Sequence, residues 1–157
     1  MMHRTHLVFA LLVALIILPF IQDKLLFTVL FFAATILPDI DSATSFITKK
    51  TNKIDPAPDL SISKHRGIFH SMTFCLALSL PFLFFIPSIA LPIFFGYTLH
   101  LMLDSFTIDG VRFWWPSKKS SQGPVRTGSI MENVLFIIVI FICIILILPL
   151  KILSKLF

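Results

Sequence analysis

A chain of 157 residues that is 57% hydrophobic, with 18 Phe and 13% charged residues, is too apolar for a soluble domain, where charged residues make up roughly a quarter. The expectation is one integral-membrane domain over residues 1–157. A net charge of +5 suits nucleic acid, but the placement of those charges has a simpler explanation, and no specific nucleic acid is expected as a partner.

The first apolar run, Leu7 to Ile21, is entered by His3, Arg4 and His6 and has no small-residue cleavage site after it. Gln22-Asp23-Lys24 makes a polar turn. Leu25 to Leu37 is the second run, with Pro38 predicted to stop it, and a polar segment extends from Asp39 to Arg66. Met72 to Ile86 is the third run, and Pro87-Ser88 separates it from the fourth, Ile89 to Leu103, with Pro92 placed in the first turn. A second polar segment, Ser105 to Met131, holds Trp114 and Trp115, read as an interfacial aromatic belt. Val134 to Leu150 is the fifth run, giving a fifth helix at about 133–150. Cys75 and Cys143 fall inside apolar runs and read as small buried hydrophobes.

The fold class expected is therefore all-α: a polytopic membrane bundle of about five transmembrane or re-entrant helices with two long cytoplasmic loops. Several runs fall short of the ~20 residues that span a hydrocarbon core, so runs three and four also fit a shallow re-entrant hairpin. Five crossings put Arg4, Lys49, Lys50, Lys53, Lys64, Arg66, Arg112, Lys118, Lys119 and Arg126 on one side. Lys24, Lys151 and Lys155 fall on the other. That asymmetry places the chain in the inner membrane with its N-terminus and both long loops cytoplasmic.

The ionisable groups follow the same map. His6 begins the first span, Asp39 and Asp41 end the second, His65 and His70 precede the third, and His100 and Asp104 end the fourth. All are predicted at one membrane face. His100 and Asp104, four apart, share a helical face. His65 and His70 are about 140° apart round a helix, so Gly67 suggests a turn for His65 and a first helical turn for His70. Asp39 and Asp41, read as extended after Pro38, point to opposite sides.

Imidazole and carboxylate without thiolate favour zinc, with manganese or iron as alternatives. Seven candidate ligands exceed one four-coordinate site, so two or three divalent ions are expected, with water completing the shells. Such ions activate water for hydrolysis. Arg66 and Lys64 suit an anionic phosphate oxygen, and Asp39 or Asp41 suits the role of base. Taken singly, each group has a plainer reading: His3 as an interfacial residue, the two aspartates as a helix-ending turn, His100 and Asp104 as a buried pair or proton relay. The convergence argues against those readings together.

Leu37-Pro38-Asp39-Ile40-Asp41, His65 through Ser71, Gly96-Tyr97-Thr98-Leu99-His100 through Asp104, then Thr107, Gly110 and Trp115-Pro116 resemble the YdjM-like family. The resemblance runs from His6 to Pro116. It implies a LexA-regulated, membrane-bound metal-dependent hydrolase, distantly similar to the zinc-dependent phospholipase C and nuclease superfamily. It further implies His6, Asp39, Asp41, His65, His70, His100 and Asp104 as metal ligands or their immediate supports. The leading expectation is a phosphoesterase at the cytoplasmic interface, acting through metal-activated water, with phospholipid among the candidate substrates. Asp41, Asp39 and Arg66 are its catalytic candidates. The alternatives are an ion-handling transporter with a polar relay and a non-catalytic protein with a structural metal.

Overall fold

The computed structural model describes residues 1–51, 68–117 and 119–153, with the side chains of 40–51 and 149–153 left out. These residues contain five helices: α1 (His3–Ile17), α2 (Lys24–Thr51), α3 (Met72–Phe85), α4 (Pro87–Ser105) and α5 (Ile130–Leu153). A 3₁₀ turn at Leu18–Phe20 follows α1, and another at Ile68–His70 precedes α3.

Pro38 does not end the second helix, which runs through it to Thr51. Asp39 and Asp41 therefore lie on helical backbone and not on an extended segment, and the first polar loop is shorter than expected. A proline inside a helix removes one N–H and crowds the carbonyl four residues back. Within a membrane bundle this is tolerated because neighbouring helices satisfy the freed backbone groups. In the same turn, the Thr35 carbonyl is met by His100 Nδ1 at 2.8 Å, which ties α2 to α4 beside Pro38.

The closest helix pairing depends on Gly96. A Cβ at Gly96 would lie 2.3 Å from the Phe31 carbonyl oxygen and 3.1 Å from Ala34 Cβ. Small residues at such a crossing let two helix backbones touch. His100 and Asp104 follow Gly96 at four-residue intervals, so the same face of α4 carries all three toward α2. The next face of α4 carries Tyr97 and Leu101, which pack with Cys75 of α3 and Val111 beyond α4. On the other side of α2, Phe27 and Phe31 pack with Ala10 and Ala14 of α1.

Helix starts are set by local chemistry. Ser71 caps α3, its Oγ accepting from Phe74 N at 3.2 Å. His70 consequently sits in the 3₁₀ turn before the helix and not in its first turn. Only Ile86 separates α3 from α4, and Pro87 opens α4 at a position where its missing N–H is no loss. This earlier start leaves Pro92 inside the helix and not in its first turn. Ser129 similarly precedes α5, with Glu132 N 3.4 Å from its Oγ. The fifth helix is longer than the apolar run alone suggested.

Between α4 and α5 the chain folds on itself. Thr107 bridges Val125 in parallel and Val111 bridges Ser121 antiparallel. Val111 and Val125 are buried. Gly110 takes φ +64, and a Cβ there would meet the Ser121 carbonyl oxygen at 2.3 Å.

Much of the outer surface is apolar: Phe84, Phe85, Ile137, Phe141 and Leu148 all face outward. Two segments, His3–Phe20 and Ile130–Leu148, are long and apolar enough to cross a bilayer, and Met72–Phe85 is a shorter apolar helix. The architecture is all-helical with apolar surface suited to lipid.

Candidate metal centre

Four elements converge at one end of the bundle. α1 supplies His6, α2 supplies Asp39, the turn before α3 supplies His70, and α4 supplies His100 and Asp104. The His6 and His100 rings stack with centroids 4.1 Å apart and planes 8° from parallel. His70 and His100 meet edge to face, with centroids 5.5 Å apart.

The two carboxylates bracket these rings. Asp39 Oδ1 lies 3.5 Å from His70 Nε2 and 3.7 Å from His100 Nε2. Asp104 Oδ1 lies 3.2 Å from His6 Nε2, and its Oδ2 lies 3.7 Å from His100 Nε2. The α-amino group of Met1 also bonds Asp104 Oδ1. Two sets bring one ligand atom per residue within 4.8 Å of each other: His6, Asp39 and His100, and His70, His100 and Asp104. His100 belongs to both.

Each position is held from behind. A carbonyl oxygen only accepts, so the Thr35 contact requires the proton on His100 Nδ1. This turns Nε2 into the cluster, the orientation used by metal-binding histidines with a backbone acceptor. The Tyr97 hydroxyl bonds the Phe69 carbonyl, and Met72 N donates to the Phe113 carbonyl at 2.8 Å, fixing the turn that carries His70. Thr5, next to His6, donates from Oγ1 to Glu132 Oε1 at 2.9 Å.

The donor set fits a divalent cation. His100 Nε2 and both ring nitrogens of His6 are buried without a hydrogen-bond partner. His6 Nε2 is near Asp104 but out of alignment for a hydrogen bond. Buried unpaired nitrogens are unfavourable by about 1–3 kcal/mol each. A cation here would take up His100 Nε2 and one nitrogen of His6 and would offset the charge of both carboxylates.

Five of the seven sequence-predicted ligands thus meet: His6, Asp39, His70, His100 and Asp104. The side chain of Asp41, together with His65, Arg66 and Lys64, lies outside the described residues. Three contributors were not anticipated. His3, read as merely interfacial, places Nδ1 2.9 Å from Asp39 Oδ2. The Thr35 carbonyl is a backbone group with no sequence signature. Glu132 is fully buried and accepts from Met2 N at 2.6 Å, Thr5 Oγ1 at 2.9 Å and Gly128 N at 2.7 Å. Its signal was the Ser129-x-x-Glu132 spacing of a capping box.

An all-helical chain with outward apolar faces and a polar cluster at one bundle end is a helical membrane protein. It belongs to the YdjM inner membrane protein family, whose pattern matches residues 1–155. The match covers nearly the whole chain, beyond the His6 to Pro116 stretch that carried the resemblance. The chain is also 30% identical over 107 residues to the Bacillus subtilis (strain 168) "Uncharacterized protein YvsG". That alignment covers 62% of this chain and 63% of the relative. No solved structure matches.

Proposed function

We propose that this protein is a multi-pass membrane phosphoesterase with a two-metal His/Asp centre at the cytoplasmic interface. The observation that carries the proposal is the buried, unpartnered Nε2 of His100, aimed between two carboxylates and shared by both ligand sets. Zinc is the favoured ion on donor chemistry, with manganese or iron as alternatives. His70, His100 and Asp104 would hold one ion, and His6 and Asp39 the other with water completing its shell, because His100 Nε2 has one lone pair and serves one ion. Bound there, such ions supply Lewis acidity and lower the pKa of water.

The chain's own residues divide the remaining work. The Asp39 side chain is 16% exposed, against 5% or less for His6, His70, His100 and Asp104, so it is the accessible edge of the cluster. It is the candidate to receive a proton from attacking water, with Asp41 as its alternate. Arg66 and Lys64 suit a phosphate oxygen, and His65 is a further candidate ligand. The asymmetry of basic residues supports five crossings with the N-terminus and loops cytoplasmic. A membrane phospholipid is the favoured substrate class because headgroups lie at that depth.

The burial of His6 and His100 favours a second reading, a closed structural metal that ties the bundle together. Turnover on a panel of soluble and lipid phosphoesters, measured with metal-replete protein, separates the two. Hydrolysis that chelation abolishes and added zinc restores, without unfolding of the chelated protein, supports the enzyme. Full metal content and no turnover on any substrate supports the structural site.

A further inference from the structure

The loop between α4 and α5, Phe106–Ser129, is folded and not slack. Two bridges cross it, Val111 and Val125 are buried beneath it, and Gly123 packs where a Cβ would lie 2.4 Å from the Phe106 carbonyl oxygen. It is tied to the end of the bundle that holds the polar cluster. Phe106 follows directly on α4, one residue past Ser105, and the Trp115 carbonyl accepts from Thr73 Oγ1 at 3.0 Å, in the first turn of α3. The loop therefore stands level with the helix ends, beside His70.

Its surface combines two chemistries. Trp114 is 62% exposed, Trp115 44% and Phe106 50%. Arg112, Lys119 and Arg126 are exposed on the same loop, whose acidic complement is Asp109. Indole rings, apolar with one N–H donor, settle at the headgroup level of a bilayer. Basic groups at that level are drawn to anionic lipid phosphates.

We infer that this loop is an anionic-phospholipid docking surface: Trp114 and Trp115 enter the headgroup layer while Arg112, Lys119 and Arg126 engage lipid phosphates. The docking needs neither metal nor hydrolysis. Where the phosphoesterase reading also holds, and resting on it, the loop narrows the substrate class to anionic phospholipids by concentrating them beside the cluster.

Trp114 and Trp115 are the only tryptophans in the chain, so intrinsic fluorescence reports on this loop alone. The experiment places the full-length protein in nanodiscs carrying brominated acyl chains on either phosphatidylglycerol or phosphatidylcholine at equal mole fraction. The expected result is blue-shifted emission, with quenching by the brominated anionic lipid roughly twofold or more above that by the zwitterionic one. The difference should vanish in the Arg112→Gln, Lys119→Gln, Arg126→Gln triple variant, whose unfolding temperature should match the parent. Emission typical of water-exposed indole, or equal quenching by both lipids, overturns the inference. Chelated protein should behave identically, so failure here is distinct from failure of the metal reading.

Discussion

His100 and Thr35 lie 65 positions apart and meet through the imidazole Nδ1 and the backbone carbonyl at 2.8 Å. This contact fixes the tautomer of the histidine that both ligand sets share. With Nδ1 engaged, Nε2 offers one lone pair to one ion, and the pattern of metal loss follows from that. His100→Ala and His70→Ala should each cost the ion they share, and His6→Ala the other, so that each single variant falls from about two ions to about one and only His100→Ala combined with His6→Ala empties the centre. Elemental analysis of the three purified variants and the double variant checks this, and a single variant that keeps the parent's content would refute its residue as a ligand.

The approach that permits the His100–Thr35 contact depends on Gly96. Gly96→Ala places a methyl 2.3 Å from the Phe31 carbonyl oxygen, a backbone atom that moves only with its helix. Overpacking of this kind is unfavourable by about 1–3 kcal/mol. Thermal unfolding in detergent should show a lowered midpoint, accompanied by weaker metal binding because α4 is pushed off α2. An unchanged midpoint together with unchanged metal content would mean that the two helices do not pack as closely as this.

Glu132 joins Met2, Thr5 and Gly128 near the start of α1, close to His6 in sequence. Glu132→Ala leaves the buried Thr5 hydroxyl and the less buried Met2 and Gly128 amides without their acceptor, a loss of about 1–3 kcal/mol. Glu132→Gln retains an acceptor oxygen and should lose less. Metal held by His70, His100 and Asp104 should survive in the glutamine variant, while that held through His6 weakens. Titration calorimetry with zinc should resolve the two.

His3 gives the opposite expectation. Its side chain is 72% exposed although Nδ1 contacts Asp39 at 2.9 Å. Exposed pairs contribute about 1 kcal/mol or less. His3→Ala should leave metal content and unfolding temperature near those of the parent. A loss comparable to that of His6→Ala would make His3 a ligand.

Much of this centre was legible from residue spacing. His100-x-x-x-Asp104 reads directly because four residues return to one helical face, and His6 and His70 stand at the edges of apolar runs. Asp39 is legible only in part: Pro38 reads as a stop, yet the helix continues through it to Thr51 and keeps Asp39 on helical backbone. The Thr35 carbonyl could not be read because every residue has one. Glu132 was hidden by its own run: a single acid at the mouth of an apolar helix looks like a solvated end until the chain's first residues fold over it.

The central claim is that the His6, Asp39, His70, His100 and Asp104 cluster holds divalent metal. Elemental analysis of protein purified in mild detergent without chelators, beside its His100→Ala variant, tests it most directly. The account predicts about two divalent ions per chain in the parent and about one in the variant. Parent protein without metal, or an equal content in both, would contradict it.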